Sequence, residues 1–203
     1  MRTRSWLLPA VTALLVAVCL TTGFLIGRSS HGEHPDAAMV QLSDRDVEFA
    51  QHMSVHHQQA ITMVDLLGTA VSSDVGAVAG QIRASQWREI GTLTGWLELV
   101  GAPFQAAASQ GGHGDHTVMA GMASNEDLTR LHETAGPERE VLFLQLMIRH
   151  HQGGIKMAAA ALDTTAVPAV RARALSMVDE QQQELASMSL LLDARGASVL
   201  PYP

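Results

Sequence analysis

Phe49-Ala-Gln-His-Met53-Ser-Val-His56-His57-Gln58 is matched by Phe143-Leu-Gln-Leu-Met147-Ile-Arg-His150-His151-Gln152, 94 residues later. The same offset pairs Asp46 with Glu140, Ile61 with Ile155 and Met63 with Met157. Further along each half, Gln86-x-x-Glu89-Ile90 is answered by Gln181-x-x-Glu184-Leu185, shifted by one more residue. A motif repeated across two successive segments means that one supersecondary unit occurs twice. Each copy carries a His-His pair on its first segment and a Gln-x-x-Glu pair on its second.

The spacing inside each copy is helical. Apolar or functional residues recur at 46, 49, 50, 53, 56/57, 60, 63/64 and 67, the pattern of one helix face. Ser43 with Asp46 reads as a capping box that opens this helix, and Gly68 ends it. A second helix begins near Ser73, carries Val78, Ile82, Gln86, Glu89, Leu93 and Leu97, and stops at Gly101 and Pro103. Ser124-Asn-Glu-Asp127 opens a short helix that runs to about Ala135. Pro137 opens a long one bearing Glu140, Phe143, Met147 and His150/His151. Pro168 opens the last, with Leu175, Val178, Gln181, Glu184, Met188 and Leu191/Leu192, and Gly196 ends it. No segment alternates with period two. The spacing predicts an all-α, antiparallel four-helix bundle made of two αα-hairpins over 43–196, with a Gly/Ala/Ser/Gln loop at 101–123 and a tail at 197–203.

The N-terminus is different. From Trp6 to Ile26 no charge interrupts an apolar run, which is long enough to cross a bilayer. Arg2 and Arg4 precede it, and no small-x-small cleavage signal follows. The reading is a signal anchor at 1–28 and a polar tether at 29–42, with the bundle outside the cytoplasm; secretion after cleavage is the alternative. Cys19, inside the run, is the only cysteine, so neither disulfides nor thiolates serve the bundle. Of the 13 basic residues, Arg2, Arg4 and Arg28 flank the run, and the rest face 20 acidic ones. That balance excludes a nucleic-acid surface and suits cations.

The F-x3-M-x2-H-H-Q pattern, the I-x-M that follows, the Q-x-x-E-I partner helix and the Met119-x-Gly-Met122 loop together resemble the bacterial domain-of-unknown-function 305 family. The resemblance spans roughly 43–195. It implies a ferritin-like four-helix fold in an exported or membrane-anchored protein, and a link to metal handling, copper foremost. Gly153-Gly154 stands where Gln59-Ala60 stands in the first copy, so local packing must differ between the halves.

On a helix, Met53 shares a face with His56 and His57, and Met147 with His150 and His151. Neutral imidazole ligates copper, zinc, iron and nickel, and thioether favours Cu(I). The candidate metal ligands are therefore His56, His57, His150, His151, Met53, Met147, Glu89 and Glu184. Gln86, Gln181, Asp46 and Glu140 are candidates for hydrogen-bonding support. A separate soft site is offered by His113, His116, Met119 and Met122 in the loop.

Three functions remain open. One is an extracytoplasmic buffer or carrier of transition-metal ions, copper favoured, with metal ions as the partners and the membrane as anchor. Another is an interaction module whose His/Gln/Glu layers only hold the bundle. The third is a di-metal oxidase, which a ferritin-like fold invites but the absence of any Glu-x-x-His on the long helices disfavours. Nothing supports nucleophilic hydrolysis, since no G-x-S-x-G occurs.

Overall fold

The computed structural model describes residues 41–105, 119 and 121–202. The apolar run at 1–28, the tether up to residue 40, and His113 and His116 lie outside the described residues. Among those described, no helix is long and apolar enough to cross a membrane.

Five helices and no strand occur among the described residues: α1 (Asp44–Leu67), α2 (Ser73–Leu99), α3 (Asn125–Glu133), α4 (Gly136–Thr164) and α5 (Pro168–Ala194). The predicted start signals operate. Ser43 Oγ accepts from Asp46 N at 3.2 Å while Asp46 Oδ2 accepts from Ser43 N at 2.9 Å, and Ser124 and Asp127 repeat the exchange at α3. Gly68 leaves α1 at φ 73°, a conformation closed to most side chains.

The four long helices form the bundle. α1 packs on α2 and on α4, and α4 packs on α5, whereas α2 and α5 meet only sparsely. The interior is two apolar clusters. One holds Met63, Leu67, Ile82, Phe143, Met147 and Met188. The other holds Phe49, Met53, Leu93, Leu97 and Met177. Between these groups, in the chain order of every long helix, lie buried polar residues: His56 and His57 on α1, Gln86 and Glu89 on α2, His150 and His151 on α4, Gln181 on α5.

One predicted stripe is out of phase. Leu175 is 49% exposed, and the buried line of α5 runs through Val170, Ala174, Met177, Gln181, Met188 and Leu192. Apolar residues occur on several faces of this helix, Leu190 being exposed too, so hydrophobic spacing alone does not set its rotation.

The acids that open each repeat tie the halves together. Glu140, early in α4, accepts from Ser72 N at 2.6 Å and Ser72 Oγ at 2.7 Å, in the α1–α2 turn, and is held by Arg195 at 2.7 Å. Asp46, early in α1, bonds Thr165 in the α4–α5 turn. Sequence-equivalent carboxylates thus each bind the hairpin turn of the opposite repeat. They do not act as support for the histidines, the role suggested by their place in the motif, because each sits two to three turns away at a bundle end, where unpaired backbone and hydroxyl groups need acceptors.

Candidate metal centre

The buried layer is built from equivalent pairs. His57 Nε2 lies 2.5 Å from Glu89 Oε2, and His151 Nε2 lies 2.7 Å from Glu184 Oε2. Between them the His56 and His150 rings stack, centroids 3.7 Å apart and planes at 30°. His150 Nε2 also lies 3.0 Å from the His56 carbonyl oxygen, to which it donates. The arrangement follows from spacing: adjacent residues on a helix diverge by about 100°, so one His of each pair meets its repeat-mate at the centre and the other turns to the Glu of its own hairpin partner.

All four imidazoles are at most 1% exposed. Burial holds His57 and His150 neutral. It drives His57 down to about 3, with His151 adding to the effect and Glu184 opposing it. It drives His150 well below the ordinary histidine value, helped by the neighbouring His56, His151 and His57. Burial raises the Glu89 carboxyl to about 7, Arg173 pulling against it. The two carboxylates differ: burial would also raise Glu184, but hydrogen bonds from His151 and from Ser85 Oγ, the latter at 2.7 Å, hold it below its ordinary value. Like surroundings with unlike partners push two carboxyl groups apart.

Several buried polar atoms make no hydrogen bond. They include Nδ1 of His57, His150 and His151, Oε1 of Gln86 and Nε2 of Gln181. Glu89 belongs here too: its approach to His57 is close but out of line, so neither of its oxygens accepts a hydrogen bond. An unmet buried polar group costs roughly 1–3 kcal/mol.

The remaining predicted residues are placed as follows. Met53 and Met147 are fully buried in the two separate apolar clusters, one to either side of the layer. Gln86 and Gln181 lie in the layer, 1% exposed. Met119 and Met122, partly buried, form a turn closed by Met122 N donating to Met119 O at 3.1 Å. That turn is docked on the bundle by residues outside the candidate site. Gln59 Oε1 accepts from Ala123 N at 2.7 Å and Gln59 Nε2 donates to Ala123 O at 2.9 Å. Gly121, at φ 79°, lies so close to α4 that an added Cβ would run into the Arg149 carbonyl and stand 3.1 Å from Gly153 N. Gln59 and Gly153 are repeat-equivalents. Their difference is what lets one loop clasp a symmetric pair of helices, and it was visible in the sequence as the Gln59-Ala60/Gly153-Gly154 mismatch. Gly154 in turn makes room for Gln181, whose Nε2 would be 2.9 Å from a Cβ there.

The family model described as "Domain of unknown function (DUF305)" matches residues 46–192. The chain belongs to this family. Its fold is similar to a DUF305 crystal structure from Streptomyces coelicolor, named as a candidate secreted protein, at 33% identity and TM-score 0.71, covering 78% of this chain and 98% of that one. A DUF305 fragment from Deinococcus radiodurans is similar at 32% identity and TM-score 0.67, over 75% and 97% of the two chains. CopM in its Cu(II)-bound form is similar at 26% identity and TM-score 0.61, over 73% and 96%. CopM in its Cu(I)-bound form shares 26% identity at TM-score 0.58, over 76% and 98%. No curated protein matches the chain.

In this DUF305 chain no three His, Cys, Asp or Glu side chains among the described residues converge on one ion as they stand. Each His57 and His151 Nε2 faces a carboxylate, so ligation by the layer uses the free Nδ1 atoms or turns an imidazole off its partner. The donor set, neutral nitrogen with carboxylate, fits Cu(II) and zinc; the sulfurs of Met119 and Met122 fit Cu(I) and Ag(I).

Proposed function

We propose that this protein binds copper-class transition-metal ions outside the cytoplasm, as a buffer or carrier tethered by its apolar N-terminal run. His57, His151, Glu89 and Glu184 are the principal ligands, with His56 and His150 completing the layer and Gln86 and Gln181 steadying it. The observation that carries this reading is the set of buried imidazole nitrogens without hydrogen bonds, on His57 in the first half and on His150 and His151 in the second. The likeness to copper-bound CopM and to a candidate secreted DUF305 protein supports the metal and the compartment. Met53 and Met147 shape the walls, and Met119 and Met122 offer soft ligands at the margin; His113 and His116, close to them in sequence, are further candidates.

A second reading has its own observation. His151 Nε2 is already hydrogen-bonded to Glu184 and His57 Nε2 already lies against Glu89, which suits a layer that only fixes helix register.

Titration of the purified full-length chain with Cu(I) and with Cu(II) separates the two. Combined His57→Ala and His151→Ala weakens binding at least tenfold, whereas His132→Ala, at an exposed position outside both repeats, leaves it unchanged. A double variant that binds normally but melts earlier makes the layer structural and moves the site to His113, His116, Met119 and Met122. A chain that binds no tighter than a His-containing peptide leaves only the interaction module.

A further inference from the structure

The layer has an opening. Where α2 and α5 stand apart, a groove of about 440 Å³ runs between them, lined by Ser85, Arg88, Glu180, Gln183, Glu184 and Ser187 among others. Its lining includes groups that touch the buried histidines. Ser85 Oγ donates to Glu184 Oε1, and Glu184 Oε2 meets His151 Nε2. The Glu184 side chain is 15% exposed while His151 has no exposure at all. Glu180, one turn earlier on α5, is 37% exposed and lies loosely between Arg88 at 3.6 Å and Arg173 at 3.9 Å.

A third carboxyl lies behind the lining. Glu89 is 1% exposed, and neither of its oxygens accepts a hydrogen bond. It is close enough to Glu184 and Glu180 for charge to be felt between them: burial raises the Glu180 carboxyl and Glu89 raises it further, while Glu184 adds to the rise that burial gives Glu89. Carboxyl groups thus stand at the rim (Glu180), in the lining (Glu184) and behind it (Glu89). The two arginines at the rim hold Glu180 without covering it. Among the described residues the α1–α2 and α4–α5 pairs pack more closely than α2 and α5, and the clamped 121–123 turn lies over α1 and α4.

We propose that the α2–α5 groove is the route by which a metal cation reaches the His layer, with Glu180 as the rim carboxylate and Glu184 as the inner one that passes the ion to His151 and Glu89. The proposal rests on the metal-binding reading and adds the path and its positioning residues. Glu180 acts on the rate of arrival and is not a ligand of the final site.

The test uses the full chain with Cys19→Ser, so that an introduced thiol is the only one. Ser187→Cys, on the groove, is alkylated with a bulky maleimide; Ala186→Cys, exposed on the same helix but outside the groove, is the control. Cu(II) association is followed by stopped-flow quenching of Trp fluorescence, and the equilibrium constant by titration. The adduct at 187 slows association and dissociation at least tenfold and changes the equilibrium constant less than twofold, while the adduct at 186 changes neither. Separately, Glu180→Gln lowers the association rate severalfold at low ionic strength, an effect that salt removes, with its melting temperature unchanged. Intact binding with unaltered rates in both the 187 adduct and Glu180→Gln overturns the route and spares the functional reading. Absence of copper binding in the unmodified chain defeats the functional reading itself, and the route with it.

Discussion

Glu89→Gln, in metal-free protein, changes the pH dependence of folding by an amount that follows from the His57–Glu89 pair. His57 falls to about 3 and Glu89 rises to about 7 in the native state. Their ordinary values are 6.5 and 4.5. The signs oppose. A lowered histidine leaves the unfolded chain with an extra proton below pH 6.5, so native stability is lost as pH falls. A raised carboxyl gives the native state the extra proton, and its stabilisation is complete below 4.5 and lost as pH rises through 7. Between about pH 5 and 6 the unfolded pair holds one proton, on His57, and the native pair holds one, on Glu89, so the pair adds nothing to the slope. Gln at 89 removes the native proton and leaves the unfolded one. The variant therefore gains a slope of about 1.4 kcal/mol per pH unit over the wild type in this window, and loses about 2.5 kcal/mol more between pH 8 and pH 5. The contribution of His150, also held neutral, is common to both proteins and drops out of the difference. Urea denaturation at half-unit pH intervals in the presence of chelator measures it. Parallel stability curves for the two proteins would refute the proton assignment.

Other expectations follow from single contacts. Gly121→Ala places a Cβ against the Arg149 carbonyl at a positive φ, and should cost about 2 kcal/mol and release the 119–123 turn to hydrogen exchange. Gly80→Ala, where a Cβ meets nothing within 4 Å, should instead stabilise α2 by roughly 0.5–1 kcal/mol in thermal melts. Arg195→Ala strips Glu140 of its cation at the end of the bundle and should cost about 1–3 kcal/mol. Copper affinity should weaken as pH drops below about 7, roughly tenfold per unit for one displaced proton, because Glu89 must release its proton to ligate while His57 stays neutral to about 3. Glu89→Gln should flatten that dependence in the titration.

The repeat made the fold legible. An offset held across His56/His150 and Glu89/Glu184, with Ser43, Gly68, Pro137 and Pro168 at the helix ends, leaves little room for any architecture but two αα-hairpins. The His–Glu contacts were also within reach, because the two motifs recur at matching depths along neighbouring helices. What spacing did not carry is direction. Asp46 and Glu140 repeat as faithfully as the histidines, yet they bind the turns at Thr165 and Ser72, since a repeat preserves fold contacts as readily as chemistry. Met53 and Met147 share a face with their histidines, but the face is wide enough to send the thioethers into the apolar clusters. Ser85, Gln59 and Arg195 join partners 99, 64 and 55 residues away, and a non-repeated polar residue shows no periodicity by which such a contact is read.

The central claim, that the buried His layer receives the metal, is tested most directly by anomalous diffraction at the copper edge from crystals of the copper-loaded chain. The account predicts a peak within ligand distance of His57 or His151 and of Glu89 or Glu184, at about 2.0–2.2 Å. Copper found only beside Met119 and Met122, with the His57–Glu89 and His151–Glu184 pairs undisturbed, would contradict it.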